Sequence, residues 1–129
     1  MEMKQYLNGI QHIAIPTKSV QDTAAFYEGL GFELTWKTNL DGVEVAFLSL
    51  NNLTIETYEV PDPKMTAGAF DHISIDVSDV EKCFEIAKAK GYKLLDSDDI
   101  TELPFFEKGV RFFKIEGVNK EAIEFNQIL

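Results

Sequence analysis

The chain has 129 residues, of which 45% are hydrophobic and 12% aromatic, enough for one compact unit with a buried core. A formal net charge of −10 argues against nucleic acid or an anionic membrane surface as a partner, because an acidic surface repels phosphate groups. No apolar run approaches the ~20 residues of a membrane span, and the N-terminus lacks the apolar stretch of a signal peptide. A single cysteine excludes an internal disulfide framework. That leaves the redox compartment open, and because the sequence shows no export signal we expect a cytoplasmic protein.

The first half of the chain is predicted to form a strand, a helix and three further strands. Alternation of apolar residues indicates a strand at residues 10–15. Ser19 can cap a helix that runs to about Glu28 and ends at the glycines that follow. Asp41-Gly42 favours a hairpin turn. The three remaining strands are predicted at residues 32–37, 43–50 and 53–58.

The second half repeats this order with a longer loop. A strand is predicted at residues 71–77, and Ser78-Asp79-Val80-Glu81 is a capping box that opens a helix ending at Gly91. About eight extra residues fall in a loop at 96–109. Its segment Leu103-Pro104-Phe105-Phe106 is either an apolar lid or a contact with a partner subunit. The remaining strands are predicted at residues 92–95, 110–115 and 122–127.

An internal repeat relates the two halves. The segment Gly9–Ile15 resembles Ala69–Ile75 at an offset of 60 residues, the separation of His12 and His72. Near the end of each half, Thr54–Thr57 parallels Ala122–Phe125 at an offset of 68. We therefore predict one α+β domain, residues 1–129, built from two βαβββ modules at about 9–60 and 69–129.

Four side chains in this repeat form a candidate metal site. The two histidines of the chain, His12 and His72, occupy equivalent positions, and so do Glu56 and Glu124. Strand alternation puts all four on the face turned away from the helices, where they can converge if that face curves inward. Imidazole with carboxylate is a common set of ligands for divalent metals, and two of each neutralise one such ion. The alternative is a structural cluster of histidines bonded to carboxylates, which the recurrence in both halves disfavours.

These residues resemble the vicinal oxygen chelate superfamily, which contains glyoxalases, bleomycin-resistance proteins and dioxygenases. The resemblance spans about Gly9 to Gln127 and implies curved mixed sheets around a concave site. His12, Glu56, His72 and Glu124 stand where this superfamily takes ligands, and the set is similar to that of bacterial glyoxalase I, lactoylglutathione lyase. It implies one divalent ion, Ni or Zn with Co or Mn as alternatives, and a homodimer that acts on a small molecule.

The resemblance also implies a reaction. The metal would act as a Lewis acid that stabilises an enediolate, in a lyase or isomerase acting on a 2-oxoaldehyde–thiol adduct or a related compound. Glu124 would move the proton between adjacent carbons, and Glu56 would be a ligand and second base. Pro16 and Val60 replace an arginine and an asparagine that glyoxalase I usually has, which puts glutathione conjugates in doubt.

Other functions stay open within the same fold. An epimerase similar to methylmalonyl-CoA epimerase often has glutamine at the position of Glu56. An extradiol dioxygenase needs two histidines and one carboxylate around iron, and Glu56 would crowd such a site. A sequestering protein of the bleomycin-resistance kind lacks the four ligands altogether. Metal analysis and solvent-deuterium incorporation discriminate between these alternatives.

Three kinds of residue other than the four candidate ligands carry weaker predictions. Arg111, the only arginine, can bind a substrate carboxylate or phosphate, although a solvated or interface charge is the favoured interpretation. Cys83 falls on the apolar side of its helix and is predicted to be core. Trp36, Phe47 and Phe113 can line a pocket, with core packing as the default.

Overall fold

The computed structural model describes residues 2–129 and divides the chain into two compact units. Unit 1 is Met1–Lys64 and unit 2 is Met65–Leu129. The boundary between them falls in the link between the two modules predicted from the repeat. Each unit contains one helix and one mixed sheet, which confirms the predicted fold class.

Unit 1 has the predicted order of strand, helix and three strands. A short 3₁₀ helix at Met3–Tyr6 precedes it. The five elements are β1 (Ile13–Thr17), α1 (Val20–Leu30), β2 (Glu33–Leu40), β3 (Val43–Leu50) and β4 (Leu53–Glu59). The sheet order is β1-β4-β3-β2, in which β1 and β4 are parallel and the other pairs antiparallel. The first and last strands of the module are therefore neighbours, and this brings residues from both ends of the module together.

Helix α1 is fixed at both ends by local chemistry. The Ser19 side chain accepts a hydrogen bond from the backbone N–H of Asp22, as a helix N-cap should. Gly31 closes the helix at φ 108°, a left-handed conformation that favours glycine. A second acceptor, the Glu59 carboxylate at the end of β4, binds the N–H of Val20. The helix is thus tied to the strand that carries Glu56.

One face of each sheet packs under its helix and forms the core. In unit 1, Thr57 is fully buried and donates a hydrogen bond of 2.9 Å to the carbonyl of Ile15, which joins β4 to β1. Large apolar side chains fill the rest of this face, since burying them is the main favourable term in folding. In unit 1 they are Val20, Tyr27, Phe32, Leu48 and Ile55, and in unit 2 Val80, Phe113, Ile115 and Ile123.

Unit 2 repeats the module with one addition. Its elements are β5 (Ile73–Asp76), α2 (Val80–Ala89), β6 (Leu94–Leu95), β7 (Thr101–Leu103), β8 (Val110–Glu116) and β9 (Ala122–Ile128). The sheet order is β5-β9-β8-β6, with β5 and β9 parallel, and β7 also pairs with β8. Both β6 and β7 lie along β8, so the extra residues divide one edge strand into two. The prediction of a plain loop at 96–109 is therefore wrong at Thr101–Leu103.

The strands that follow the two histidines start later than predicted. β1 begins at Ile13 and β5 at Ile73, because these are the first residues with a partner on β4 and β9. His12 and His72 therefore lie just before their strands. Helix α1 has 11 residues and α2 has 10. Within residues 2–129, no helix is both long and apolar enough to cross a membrane.

Candidate metal centre

His12 and Glu56 form a pair on the face of the unit 1 sheet turned away from α1. Ala14 of β1 lies level with Glu56 of β4, and His12, two residues earlier, shares their face. The imidazole Nε2 lies 3.5 Å from Glu56 Oε1, and Nδ1 lies 2.9 Å from the side-chain oxygen of Gln11. Because that amide oxygen can only accept, Nδ1 is the donor in this contact and Nε2 is the ring nitrogen that faces Glu56.

His72 and Glu124 form the equivalent pair in unit 2. The imidazole Nε2 lies 3.8 Å from Glu124 Oε2, and Nδ1 lies 2.8 Å from the Asp71 carboxylate. The hydrogen bond from His72 holds the pKa of Asp71 below its ordinary value. In both units an acceptor beside the histidine fixes Nδ1 as the donor and leaves Nε2 able to bind a metal, as in many metal-ligating histidines.

The two glutamates differ in how firmly they are held. Glu124 is only 7% exposed, and its Oε2 accepts hydrogen bonds from Ser74 Oγ at 2.7 Å and Asn126 Nδ2 at 3.2 Å. Its Oε1 has no partner among the described residues. Among the same described residues, the Glu56 carboxylate has one polar contact, the one with His12. By the offsets of the repeat, Ala14 stands in place of Ser74 and Tyr58 in place of Asn126, so the first half lacks both donors.

Aromatic side chains lie beside the pair of unit 1. The Phe47 ring meets the His12 ring edge-on, with centroids 5.9 Å apart, and Trp36 of β2 lies level with Phe47 of β3. These rings border an open depression of about 510 Å³. Three hydroxyl side chains also line it: Thr35, Ser49 and Thr54. Two of the three aromatic residues considered from sequence thus lie at the candidate site, whereas Phe113 is in the core of unit 2.

A family model described as the Glyoxalase/Bleomycin resistance protein/Dioxygenase superfamily matches residues 9–100, which is most of the chain. The chain belongs to this superfamily. The matched segment contains three of the four predicted ligands, His12, Glu56 and His72. The resemblance inferred from the repeat is confirmed at the level of the superfamily.

Relatives of this glyoxalase-superfamily chain include the uncharacterized protein YwbC of Bacillus subtilis (strain 168). It is 33% identical over 125 residues, covering 92% of this chain and 96% of that protein. A glyoxalase family protein from Enterococcus faecalis has a similar structure, with a TM-score of 0.78, 19% identity and coverage of 94% and 98% of the two chains. The fosfomycin resistance protein FosX from Listeria monocytogenes, complexed with Mn(II) and sulfate, aligns with a TM-score of 0.72, 16% identity and coverage of 95% and 94%. At these identities the two solved structures establish the fold alone.

Arg111 lies away from the unit 2 pair. It occupies the helix side of β8, where its Nη1 lies 2.8 Å from Glu81 of α2 and its Nε 3.1 Å from Glu102 of β7. The hydrogen bond with Glu81 raises the pKa of the guanidinium. The structure does not bring Arg111 together with His72 and Glu124, and its contacts agree with the structural interpretation. A role in binding substrate stays a prediction.

Lys114, which was not predicted from sequence as a site residue, is a cation that shares the face of Glu124. The two residues lie level on β8 and β9, and the Lys114 side chain is only 16% exposed. Its Nζ lies 3.1 Å from Asp96, and its charge also lowers the pKa of Asp71. The alternation of side chains along β8 puts Lys114 on the face of Glu124, and this alternation is the signal in the sequence that could have identified it. Nothing in the sequence distinguishes it from a solvated lysine.

The donor atoms of both pairs suit a divalent metal ion. Each pair offers one imidazole Nε2 and one carboxylate, and a hydrogen bond at Nδ1 orients each ring. Across residues 2–129, no group of three or more His, Cys, Asp or Glu side chains has the geometry of a metal site. The structure thus presents the four predicted ligands as two pairs, one in each unit.

Proposed function

We propose that this chain is a metal-dependent lyase or isomerase, similar to glyoxalase I, that transfers a proton next to a carbonyl group. The substrate would be a 2-oxoaldehyde–thiol adduct or a related α-hydroxycarbonyl compound. The observation that carries the proposal is the repetition in each unit of an imidazole with Nε2 facing a glutamate and Nδ1 bound to an acceptor.

We propose that His12, Glu56, His72 and Glu124 hold one divalent ion, Ni or Zn, with Co or Mn as alternatives. Two neutral imidazoles and two carboxylates balance the charge of such an ion. When bound, the ion would polarise the substrate carbonyl as a Lewis acid. The FosX structure complexed with Mn(II) is an example of a divalent metal in a protein of this fold.

The environment of Glu124 suits a general base. Ser74 and Asn126 hold Oε2, which leaves Oε1 with lone pairs that can take a proton from the carbon beside the carbonyl and return it to the adjacent carbon. Glu56 has no such restraint among the described residues, so we assign it as a ligand and a second base. In either case the proton moves between two carbons and no oxidant is required.

The proposal includes a cytoplasmic homodimer. The support for the dimer is the resemblance to proteins whose sites are often completed across a dimer. Gel filtration of the purified chain tests the dimer, and a purely monomeric elution would contradict it.

Turnover in deuterated solvent tests the reaction. The purified chain, supplied with Ni²⁺, Zn²⁺, Co²⁺ or Mn²⁺, is assayed on a panel of adducts between methylglyoxal and different thiols. We expect product that carries solvent deuterium, because the base exchanges its proton with water. Glu124→Gln should slow turnover by about 10²–10⁴-fold, the range for loss of a general base. Glu28→Gln, the same change on an exposed glutamate of α1, is the control. Absence of turnover with every metal and adduct would overturn the proposed activity.

A further inference from the structure

Asn126 is a neighbour of Glu124 whose side-chain oxygen the proposed reaction does not use. It lies two residues further along β9, on the same face, and its Nδ2 donates a hydrogen bond of 3.2 Å to Glu124 Oε2. This contact fixes the direction of the carboxamide group. A carboxylate only accepts, so the opposite orientation would put two acceptor oxygens against each other.

The other end of this carboxamide, Oδ1, is buried and has no hydrogen-bond partner in the part of the chain that the structure describes. The residues level with Asn126 on the adjacent strands cannot supply one. Asp76 of β5 carries an acceptor carboxylate, and Phe112 of β8 has no polar side-chain atom. Buried carbonyl oxygens without a partner are rare because leaving them unpaired is unfavourable, and each one calls for an explanation.

We propose that Asn126 is a ligand-binding residue, whose Oδ1 accepts a hydrogen bond from an O–H group of the ligand held at His72 and Glu124. This inference rests on the proposed function of that pair. The donor is either a hydroxyl of the substrate or a water molecule on the metal ion. Asp76 is exposed, so its side chain can move aside to admit the ligand.

The proposal narrows the substrate class. An acceptor next to the base selects a compound with a hydroxyl group beside its carbonyl, over the analogue in which that oxygen carries no hydrogen. A site with a buried acceptor discriminates strongly in this way, because the wrong ligand leaves the acceptor unpaired. Tyr58 stands at the equivalent position of the first half, so the repeat offers no second carboxamide there. The hydroxyl group of the substrate is therefore expected to bind at the His72–Glu124 pair of unit 2.

Two variants separate the acceptor from the support that Asn126 gives to Glu124. Asn126→Ala removes both Oδ1 and the donor to Glu124. Ser74→Ala removes the other donor to the same Oε2 and leaves Oδ1 in place, so it is the matched control. Asn126→Leu keeps the branched shape of the side chain and provides the same comparison if the alanine variant does not fold.

The test measures binding to the whole 129-residue chain loaded with Mn²⁺. The probes are glycolate and methoxyacetate, in which a methyl group replaces the hydrogen on the second oxygen. Wild type should prefer glycolate, and Asn126→Ala and Asn126→Leu should lose about tenfold of this preference, the scale of one hydrogen bond. Ser74→Ala should retain it. If the donor is a metal-bound water instead, the Asn126 variants should weaken Mn²⁺ binding without any probe, and more than Ser74→Ala does.

The outcomes against this inference differ from those against the proposed function. If both Asn126 variants keep the glycolate preference and bind Mn²⁺ as Ser74→Ala does, the role of Asn126 is overturned and the metal site stands. If the wild-type chain binds none of Ni²⁺, Zn²⁺, Co²⁺ and Mn²⁺, the metal site and the role of Asn126 are overturned together.

Discussion

A hydrogen bond at Nδ1 orients each candidate imidazole, and the two acceptors differ in charge. Gln11 offers His12 a neutral amide oxygen at 2.9 Å, whereas Asp71 offers His72 a carboxylate at 2.8 Å. A charge-assisted hydrogen bond is the stronger of the two kinds, and an anionic acceptor also makes the imidazole a better donor to a metal. Metal binding by His72 should therefore depend more on Asp71 than metal binding by His12 depends on Gln11.

Removal of the Asp71 carboxylate tests this dependence. We expect Asp71→Ala to lower metal affinity by about 10–100-fold, the usual cost of losing an outer partner of a metal-binding histidine. Gln11→Ala should have a smaller effect. Asp98→Ala removes the same charge from an exposed loop position and serves as the control. Titration against a chromophoric chelator gives the affinities. If Asp71→Ala and Asp98→Ala have equal metal affinities, the effect comes from net charge and not from the hydrogen bond to His72.

Cys83 is a second residue whose surroundings determine its chemistry. Partial burial raises the pKa of its thiol, and the nearby carboxylate of Asp79 adds to the effect. A raised pKa leaves less thiolate at a given pH, and thiolate is the form that reacts. This agrees with the prediction that Cys83 is not a nucleophile. The prediction that it lies in the core is wrong, because its side chain is only partly buried.

The alkylation rate of Cys83 should follow from that pKa. At pH 8 iodoacetamide should modify the folded chain several times more slowly than the chain unfolded in urea, and the rate should rise as the pH is raised. Asp79→Asn keeps a side chain that can cap α2 but removes the charge, so it should speed the reaction. Mass spectrometry after timed quenching gives the rates. A folded chain that reacts as fast as the unfolded one would contradict a raised pKa.

At the scale of elements, both helices are capped from two sides. Ser19 and Asp79 are the local N-caps, and the last strand of each module adds a second acceptor, Glu59 to Val20 N–H and Gln127 to Val80 N–H. Glu59 and Gln127 are equivalent at the repeat offset of 68. The caps thus belong to the repeat and tie each helix to the strand that carries a predicted ligand.

The local cap of α1 has a measurable effect on stability. Ser19→Ala should lower the free energy of unfolding by about 1 kcal/mol, the typical cost of losing an N-cap. Gln21→Ala, an exposed change in the first turn, should alter it by less than about 0.5 kcal/mol, as is usual for such sites. Urea denaturation followed by circular dichroism measures both. If the two variants unfold alike, the Ser19 hydrogen bond contributes no stability.

The repeat made most of the elements predictable, because each half supported the assignment of the other. β7 was missed because a strand of three residues has no periodicity of its own and exists by pairing with β8. Arg111 illustrates the consequence. One of its two partners, Glu102, lies on the strand that was missed.

The candidate site, too, was predictable only for the residues that recur in both halves. His12, His72, Glu56 and Glu124 stood out because they recur. In the structure each histidine lies beside the glutamate of its own unit, and the convergence of all four on one ion stays a prediction. The hydrogen-bond partners of Glu124 do not recur, since Ala14 and Tyr58 replace them in the first half. Contacts between strands that are distant in sequence leave no local signal. The roles of Ser74 and Asn126 therefore emerged only from the fold.

For the molecule as a whole, the proposed function requires both units to serve one ion. His12→Ala and His72→Ala should then each lower metal affinity by more than the ~100-fold that loss of an outer partner can cost. Metal analysis of the wild-type chain should give one ion per chain. A content of two ions per chain, with each variant losing one, would mean that the pairs bind separately.

Mixing the two variants tells whether the ligands of one ion come from one chain or two. In a homodimer that exchanges modules, a mixed dimer of His12→Ala and His72→Ala chains has one site with both histidines intact and one with neither. Random exchange of subunits should then restore metal binding at about a quarter of all sites. If each chain forms its own site, every site keeps one substitution and mixing restores nothing. Unfolding and refolding the mixture ensures exchange, and refolded single variants are the controls. The recovered fraction of bound metal thus distinguishes a site within a chain from a site between chains, without any knowledge of the substrate.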